Sequence, residues 1–264
     1  MGEAIVVTSG KGGVGKTTSS ANIGTALALL GKKVCLVDTD IGLRNLDVVM
    51  GLENRIIFDI VDVALGNCRL EQALIKDKRF DHLVLLPAAQ TKDKLALSVD
   101  AMQTIIRNLK TQFDYIVIDC PAGIEHGFRV AITGADQAIV VTTPEQAAVR
   151  DADRVIGLLE GEKLPPAKLI INRIRPHMVK NGDMLDIDDI VGILSLDLLG
   201  IVPDDEHVIK AANQGEPTVI RPDSRASIAY RNIARRILGD SVPLMNLEED
   251  AGFFRRMRKL IGLR

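Results

Sequence analysis

The chain has 264 residues, of which 47% are hydrophobic and 26% charged, with a formal net charge of −2. That length suits one α/β domain with a sizeable core, and the balanced charge gives no chain-wide pull toward nucleic acid. No apolar run reaches the roughly 18 residues of a membrane span, and with aromatics at 3% and no Trp, aliphatic side chains must fill the core.

Cys35, Cys68 and Cys120 stand far apart and contain no C-x-x-C. That argues for a reducing cytosol and against a zinc or iron–sulfur site. Cys35 and Cys120 fall in apolar strand contexts and read as packing residues. A strand-like run starts at the fourth residue, which predicts no secretory leader. Met1-Gly2 is not followed by the Ser or Thr of a myristoylation signal.

The first predicted strand, 4–9, runs into Gly10-Lys11-Gly12-Gly13-Val14-Gly15-Lys16-Thr17. This fits the phosphate-binding pattern G-x-x-x-x-G-K-[ST], with an extra lysine at Lys11. Glycines permit the backbone turns that aim N–H groups at phosphate oxygens, and the predicted helix 16–30 adds its positive end. Lys16 is expected on the β- and γ-phosphates, the Thr17 hydroxyl on Mg²⁺, and Thr18 near the α-phosphate. The ligand class is therefore a nucleoside triphosphate or its diphosphate product, with Mg²⁺.

The second predicted strand, 33–38, ends on Asp38 and leads through Asp40 into Ile41-Gly42-Leu43-Arg44-Asn45-Leu46-Asp47. Acids there can orient metal-bound or attacking water, and Asp40 is the leading water-positioning candidate. A helix at 57–65, a strand at 82–87 and a helix at 95–111 follow. The strand 114–119 closes on Asp119, in the position of the carboxylate that helps hold Mg²⁺ beside a P-loop. An acid at a strand end can also simply cap a turn. Gly123 lets the next backbone swing toward a γ-phosphate.

A strand at 137–142 and a helix at 145–160 come next, then the strand 167–172. Asn172 and Arg173 leave that strand and are the candidates for the base end of the nucleotide. An amide can pair bidentately with an adenine edge, although an Asn in this place is more often a turn residue. Residues 177–190, with Asn181-Gly182-Asp183 and several acids, read as an exposed loop. A short strand near 199–202 and helices at 206–213 and 225–238 complete the core.

The strands are continuous apolar runs and alternate with helices. That predicts a P-loop, doubly wound, mostly parallel sheet with helices on both faces and ligands at the carboxyl ends of the strands. Residues 1–240 form the nucleotide-binding domain in this reading and 241–252 a tether. The last segment, 253–264, is Phe-Phe-Arg-Arg-Met-Arg-Lys-Leu-Ile-Gly-Leu-Arg. On a helix, Phe253, Phe254, Met257, Leu260 and Ile261 share one face, and Arg255, Arg256, Arg258 and Lys259 lie opposite. Such a basic amphipathic helix reads as a binder of anionic phospholipid surfaces. Its alternative, a terminal core helix, suits the paired phenylalanines and concentrated charge less well.

Lys11 through Thr18 resembles the deviant Walker A loop of the MinD/ParA family of ATPases. Val37-Asp38-Thr39-Asp40-Ile41-Gly42-Leu43-Arg44-Asn45-Leu46-Asp47 and Tyr115-Ile116-Val117-Ile118-Asp119-Cys120-Pro121-Ala122-Gly123-Ile124-Glu125 are similar to the switch regions of its MinD branch. The resemblance runs along essentially the whole chain. It implies an ATP-sandwich homodimer in which Lys11 reaches the partner's phosphates, Asp40 is the catalytic aspartate, and Asn172 reads adenine. It also implies peripheral attachment to the inner face of the cell membrane, placement of the division septum, and MinC and, in many bacteria, MinE as partners. Exposed residues of the helix 145–160, Arg150 and Asp153 among them, become partner-contact candidates.

One tail should bind weakly, since each basic residue near an anionic leaflet contributes about 1 kcal/mol and helix ordering opposes insertion. Two tails on one dimer could gain about 10²-fold or more in avidity. Rival readings are a DNA-partition ATPase of the ParA kind, disfavoured by the neutral charge and apolar tail, and a flagellar-placement relative, a group that commonly carries an extension before the first strand. An iron–sulfur carrier lacks its C-x-x-C here, and a metabolic kinase lacks an evident acceptor site.

Overall fold

The computed structural model describes residues 1–162 and 164–246. The tail residues Phe253, Phe254, Met257, Leu260 and Ile261 lie outside the described residues. In chain order the elements are β1 (Glu3–Thr8), α1 (Lys16–Leu29), β2 (Val34–Asp38), α2 (Leu46–Met50), α3 (Ile60–Ala64), α4 (Leu70–Ala73), β3 (Ile75–Lys76), β4 (Leu83–Leu86) and α5 (Val99–Leu109). They continue with β5 (Tyr115–Asp119), α6 (His126–Ile132), β6 (Gln137–Thr142), α7 (Gln146–Gly161), β7 (Lys168–Ile174), α8 (Pro176–Lys180), α9 (Ile187–Leu194), β8 (Asp197–Pro203), α10 (Glu206–Ala212) and α11 (Arg225–Ile237).

The described strands form one eight-stranded sheet in the order β3-β4-β2-β5-β1-β6-β7-β8. Each neighbouring pair is parallel except β3 with β4, which is antiparallel at the edge. Successive strand residues point to opposite faces. Ala4, Val6, Cys35, Val37, Ile116 and Ile118 join one core, with residues of α3, α5, α6, α7 and α9. Ile5, Val7, Val34, Leu36, Val117 and Ile139 join the other, with α1, α2 and α11. Both faces are covered, so the strands read as unbroken apolar runs rather than alternating ones.

Helix α1 is buried on nearly every side, Ser19, Ser20, Asn22 and Thr25 included. Its polar groups are matched one by one. Ser19 shares a hydrogen bond of 3.1 Å with the Tyr230 hydroxyl, and Asn22 Oδ1 accepts from the Val219 N–H at 2.7 Å. Gly24 lets the helix lie against the sheet, because a Cβ there would come within 2.4 Å of Leu36 Cδ2.

Two expectations are corrected. The stretch 177–190 is not an exposed loop: it holds α8, started by Pro176, and the beginning of α9, capped by Asp186. Ile190 and Leu194 are buried, and α9 packs on α7. The single helix at 95–111 is instead a 3₁₀ turn followed by α5, divided where the Ser98 hydroxyl accepts from the Ala101 N–H. At the other end, Arg236 donates to the Leu199, Val242 and Pro243 carbonyls, which ties the first residues after α11 to the start of β8.

Candidate nucleotide-binding active site

The loop between β1 and α1 owes its shape to glycines in three different ways. Gly13 (φ 82°) and Gly15 (φ 95°) sit in the left-handed region that side chains disfavour. A Cβ on Gly10 would lie 2.0 Å from the Asp151 carbonyl oxygen, so this end of the loop packs directly on the α7 backbone. A Cβ on Gly15 would lie 2.2 Å from Asn172 Nδ2, which donates to the Val14 carbonyl at 2.8 Å. Asn172 thus reaches from β7 to clasp the loop, while α1 presents its N-terminal N–H groups from Lys16 onward.

The two lysines of the loop have opposite environments. Lys16 is 7% exposed, with Nζ 3.7 Å from Asp119 Oδ1. Lys11 is exposed. Ser20, one turn after Lys16, donates its hydroxyl to the same Asp119 oxygen at 2.9 Å.

Asp38 and Asp119 face each other in register at the ends of β2 and β5, both 1% exposed. Burial, and then the Asp119 charge alongside, push Asp38 up to about 7 against N–H donation from Asp40 and Leu46. Its Oδ1 accepts from Asp40 N at 2.9 Å and Oδ2 from Leu46 N at 3.2 Å, closing the 40–46 loop at both ends. Burial raises Asp119 too, opposed by Lys16 and by hydroxyls of Thr17 and Ser20. Two crowded carboxylates and a hydroxyl are hard oxygen donors of the kind Mg²⁺ takes, and a divalent charge would relieve their repulsion.

Above these groups lies a cleft of ≈ 500 Å³, lined by Lys11, Lys16, Thr17, Thr18, Asp40 and Arg173 among others. A side pocket of ≈ 240 Å³ adjoins it, sharing Gly15, Thr18 and Arg173 and adding Asn172, Asp205, Val208, Ile209 and Tyr230. Arg173 takes a positive φ of 57° in an irregular stretch of β7 and so turns at the junction of the two spaces. Although burial pushes the other way, donation from His207, Ser224 and Ala226 holds Asp205 down at about 2.

The structure therefore gathers Lys11, Gly12, Gly13, Gly15, Lys16, Thr17, Thr18, Asp40 and Arg173 around one cleft, and puts Asn172 at the side pocket. Asp38 and Asp119 stand behind the cleft, and Gly10 and Val14 support the loop. Sequence reading missed Ser20 and Thr39, whose hydroxyl donates to the Asp119 carbonyl at 2.6 Å. Ser20 was within reach as the residue four after Lys16 on the same helical face. It also missed Val208 and Ile209, apolar residues that carry no chemical signal until α10 is placed.

A family model described as the CobQ/CobB/MinD/ParA nucleotide binding domain matches residues 5–219. The chain is 66% identical to the septum site-determining protein MinD of Bacillus subtilis, with all of both chains covered. Among solved structures it is similar to the MinC:MinD cell division protein complex of Aquifex aeolicus, at TM-score 0.86 and 50% identity, covering 92% of this chain and 98% of that one. It is likewise similar to a septum site-determining protein complexed with Mg-ADP from Pyrococcus horikoshii, at TM-score 0.83 and 28% identity, covering 92% and 100%.

Proposed function

The chain belongs to the MinD septum site-determining proteins of the CobQ/CobB/MinD/ParA nucleotide-binding family, and from that premise we propose a Mg²⁺-dependent ATPase that pairs with ATP, settles on the inner face of the membrane and leaves it on hydrolysis. The observation that carries this reading is the contrast on one loop. Lys16 is buried against the back of its own cleft, whereas Lys11 projects from the same loop into solvent. A single nucleotide needs the first; a face-to-face dimer gives the second a target in the partner's cleft.

In this reading the triphosphate lies along the loop and the α1 N-terminus, where N–H groups and Lys16 stabilise charge on its oxygens. Thr17, Asp38 and Asp119 would hold Mg²⁺, which supplies charge neutralisation at the phosphates. Asp40, half-buried at the cleft wall, orients water for in-line attack on the γ-phosphorus. The P–O bond to ADP breaks as the bond to water oxygen forms, and the water proton passes to solvent or to phosphate. Asn172 and Arg173 hold the base end, and ADP remains when phosphate leaves.

MinC is the partner supported by the Aquifex aeolicus complex; MinE, where present, would act on the ATP-bound pair. Residues 253–264 supply the membrane contact, and two tails per dimer make attachment depend on ATP. Among the described residues no helix is long and apolar enough to cross a membrane, which suits attachment from one side. Sedimentation with anionic liposomes tests the coupling. Binding is expected with a non-hydrolysable ATP analogue and to be at least tenfold weaker with ADP, in line with an avidity of about 10²-fold. Equal binding in both nucleotides would sink it.

A further inference from the structure

Arg79 lies away from the cleft, in the turn between β3 and β4, yet its guanidinium joins a helix that lines the cleft to one that lines the side pocket. Nε and Nη2 pair with the buried Asp77 carboxylate at 3.0 and 2.6 Å. Nη2 also donates to the Met50 carbonyl at 2.8 Å, and Nη1 to the Gly215 carbonyl at 3.1 Å. Met50 is the last residue of α2. Gly215 belongs to the turn that ends α10, where the N–H groups of Gly215 and Glu216 return to the Ala212 and Ala211 carbonyls. One cation therefore serves the C-terminal ends of two helices, where leftover carbonyls and the helix dipoles favour positive charge.

The backbones beneath it meet without side chains between them. Gly51 and Gly215 each have φ 66°. A Cβ on Gly51 would fall 2.6 Å from the Gly215 oxygen, and one on Gly215 would fall 2.7 Å from the Gly51 Cα. The two helices joined here face the two spaces of the site. Val48 and Val49 of α2 line the cleft, directly after the 40–46 loop, while Val208 and Ile209 of α10 line the side pocket.

We propose that Arg79 is a positioning residue for nucleotide hydrolysis: it locks α2 to α10, so that filling the side pocket helps place the loop that carries Asp40. The proposal rests on reading the cleft as the triphosphate end and the side pocket as the base end. An arginine suits this task because its rigid fork serves one carboxylate and two carbonyls together, which the point charge of a lysine cannot.

The test is steady-state hydrolysis of ATP and of UTP, whose smaller base fills less of the pocket, by the full-length chain, Arg79→Lys and Gly215→Ala. The second variant wedges the two backbones apart and leaves the guanidinium in place. Wild type is expected to show a higher kcat with ATP. Each variant should lower kcat for ATP by about tenfold, a loss within the range that small misplacements cause, and leave the UTP value nearly unchanged, so that the ratio collapses. A role in folding alone lowers both rates in proportion, since the ratio does not depend on the fraction of active protein. That result, an unchanged ratio, or a wild-type kcat equal for the two bases would overturn the proposal. A wild type that hydrolyses neither nucleotide removes the reading of the cleft, and the proposal with it.

Discussion

At Asp38, one carboxylate does two jobs that pull against each other. Its oxygens hold the backbone of the 40–46 loop, and its charge sits buried beside Asp119. The folded-state pKa is pushed up to about 7 from an ordinary 3.8, by burial first and the Asp119 charge second. The folded chain then keeps a proton that the unfolded chain releases between those values. Stability from this group is greatest below the lower value and falls as pH rises toward the upper one. Without Mg²⁺ or nucleotide, the urea midpoint is expected to carry this downward contribution across that window, and Asp38→Asn to remove it. Identical pH slopes for wild type and variant would contradict the assignment. On the proposal that Asp38 helps hold Mg²⁺, the ion would compete with the proton for the same oxygens, and adding Mg²⁺ and nucleotide should also flatten the slope. Sequence reading reached Asp38 and Asp119 because acids at the ends of apolar strands stand out. It could not foresee that Asp38 also fastens a loop, because hydrogen bonds to its N–H groups depend on where Leu46 comes to rest.

Among the elements, the P-loop shows how differently its glycines are constrained. Gly10 touches the α7 backbone, whereas a Cβ on Gly12 would meet only Ala122 Cβ at 3.8 Å. Gly10→Ala is therefore expected to cost about 1–3 kcal/mol by overpacking and to weaken nucleotide binding. Gly12→Ala should stay within about 0.5 kcal/mol in the isolated chain. Urea unfolding and nucleotide titration read both, and equal costs at the two positions would contradict the packing argument. The long elements were legible for physical reasons. α7 and α11 each carry one apolar face, α1 follows from the P-loop that precedes it, and the central strands are apolar on both faces. Short elements were not: α8 and α9 fall where Asn181-Gly182 and several acids suggest a loop. Pro176 starts the first of these helices and Asp186 caps the second, whose Ile190 and Leu194 are buried where α9 packs on α7. The two-residue β3 has too few residues for any periodicity, yet it places Asp77 and Arg79.

For the whole molecule, the sheet order puts the nucleotide loop on the central strand β1, with the loops after β2 and β5 on one side and those after β6 and β7 on the other. All the candidate groups therefore open onto one end of the sheet. That end bears the exposed Lys11, and Leu43 and Val48 beside it are also exposed. A second copy bound there would bury these apolar side chains and bring Lys11 to another cleft, and a loop shaped for one nucleotide would then be half of an interface. Size-exclusion chromatography with light scattering tests this claim most directly, on wild type, Asp40→Ala and the double variant Lys11→Ala/Asp40→Ala. The chain is expected to be monomeric with ADP, and Asp40→Ala, which should hold ATP unhydrolysed, to be dimeric with ATP. The double variant should bind ATP yet remain monomeric. A monomer under every condition, or a dimer that forms as readily with ADP or without Lys11, would contradict the account.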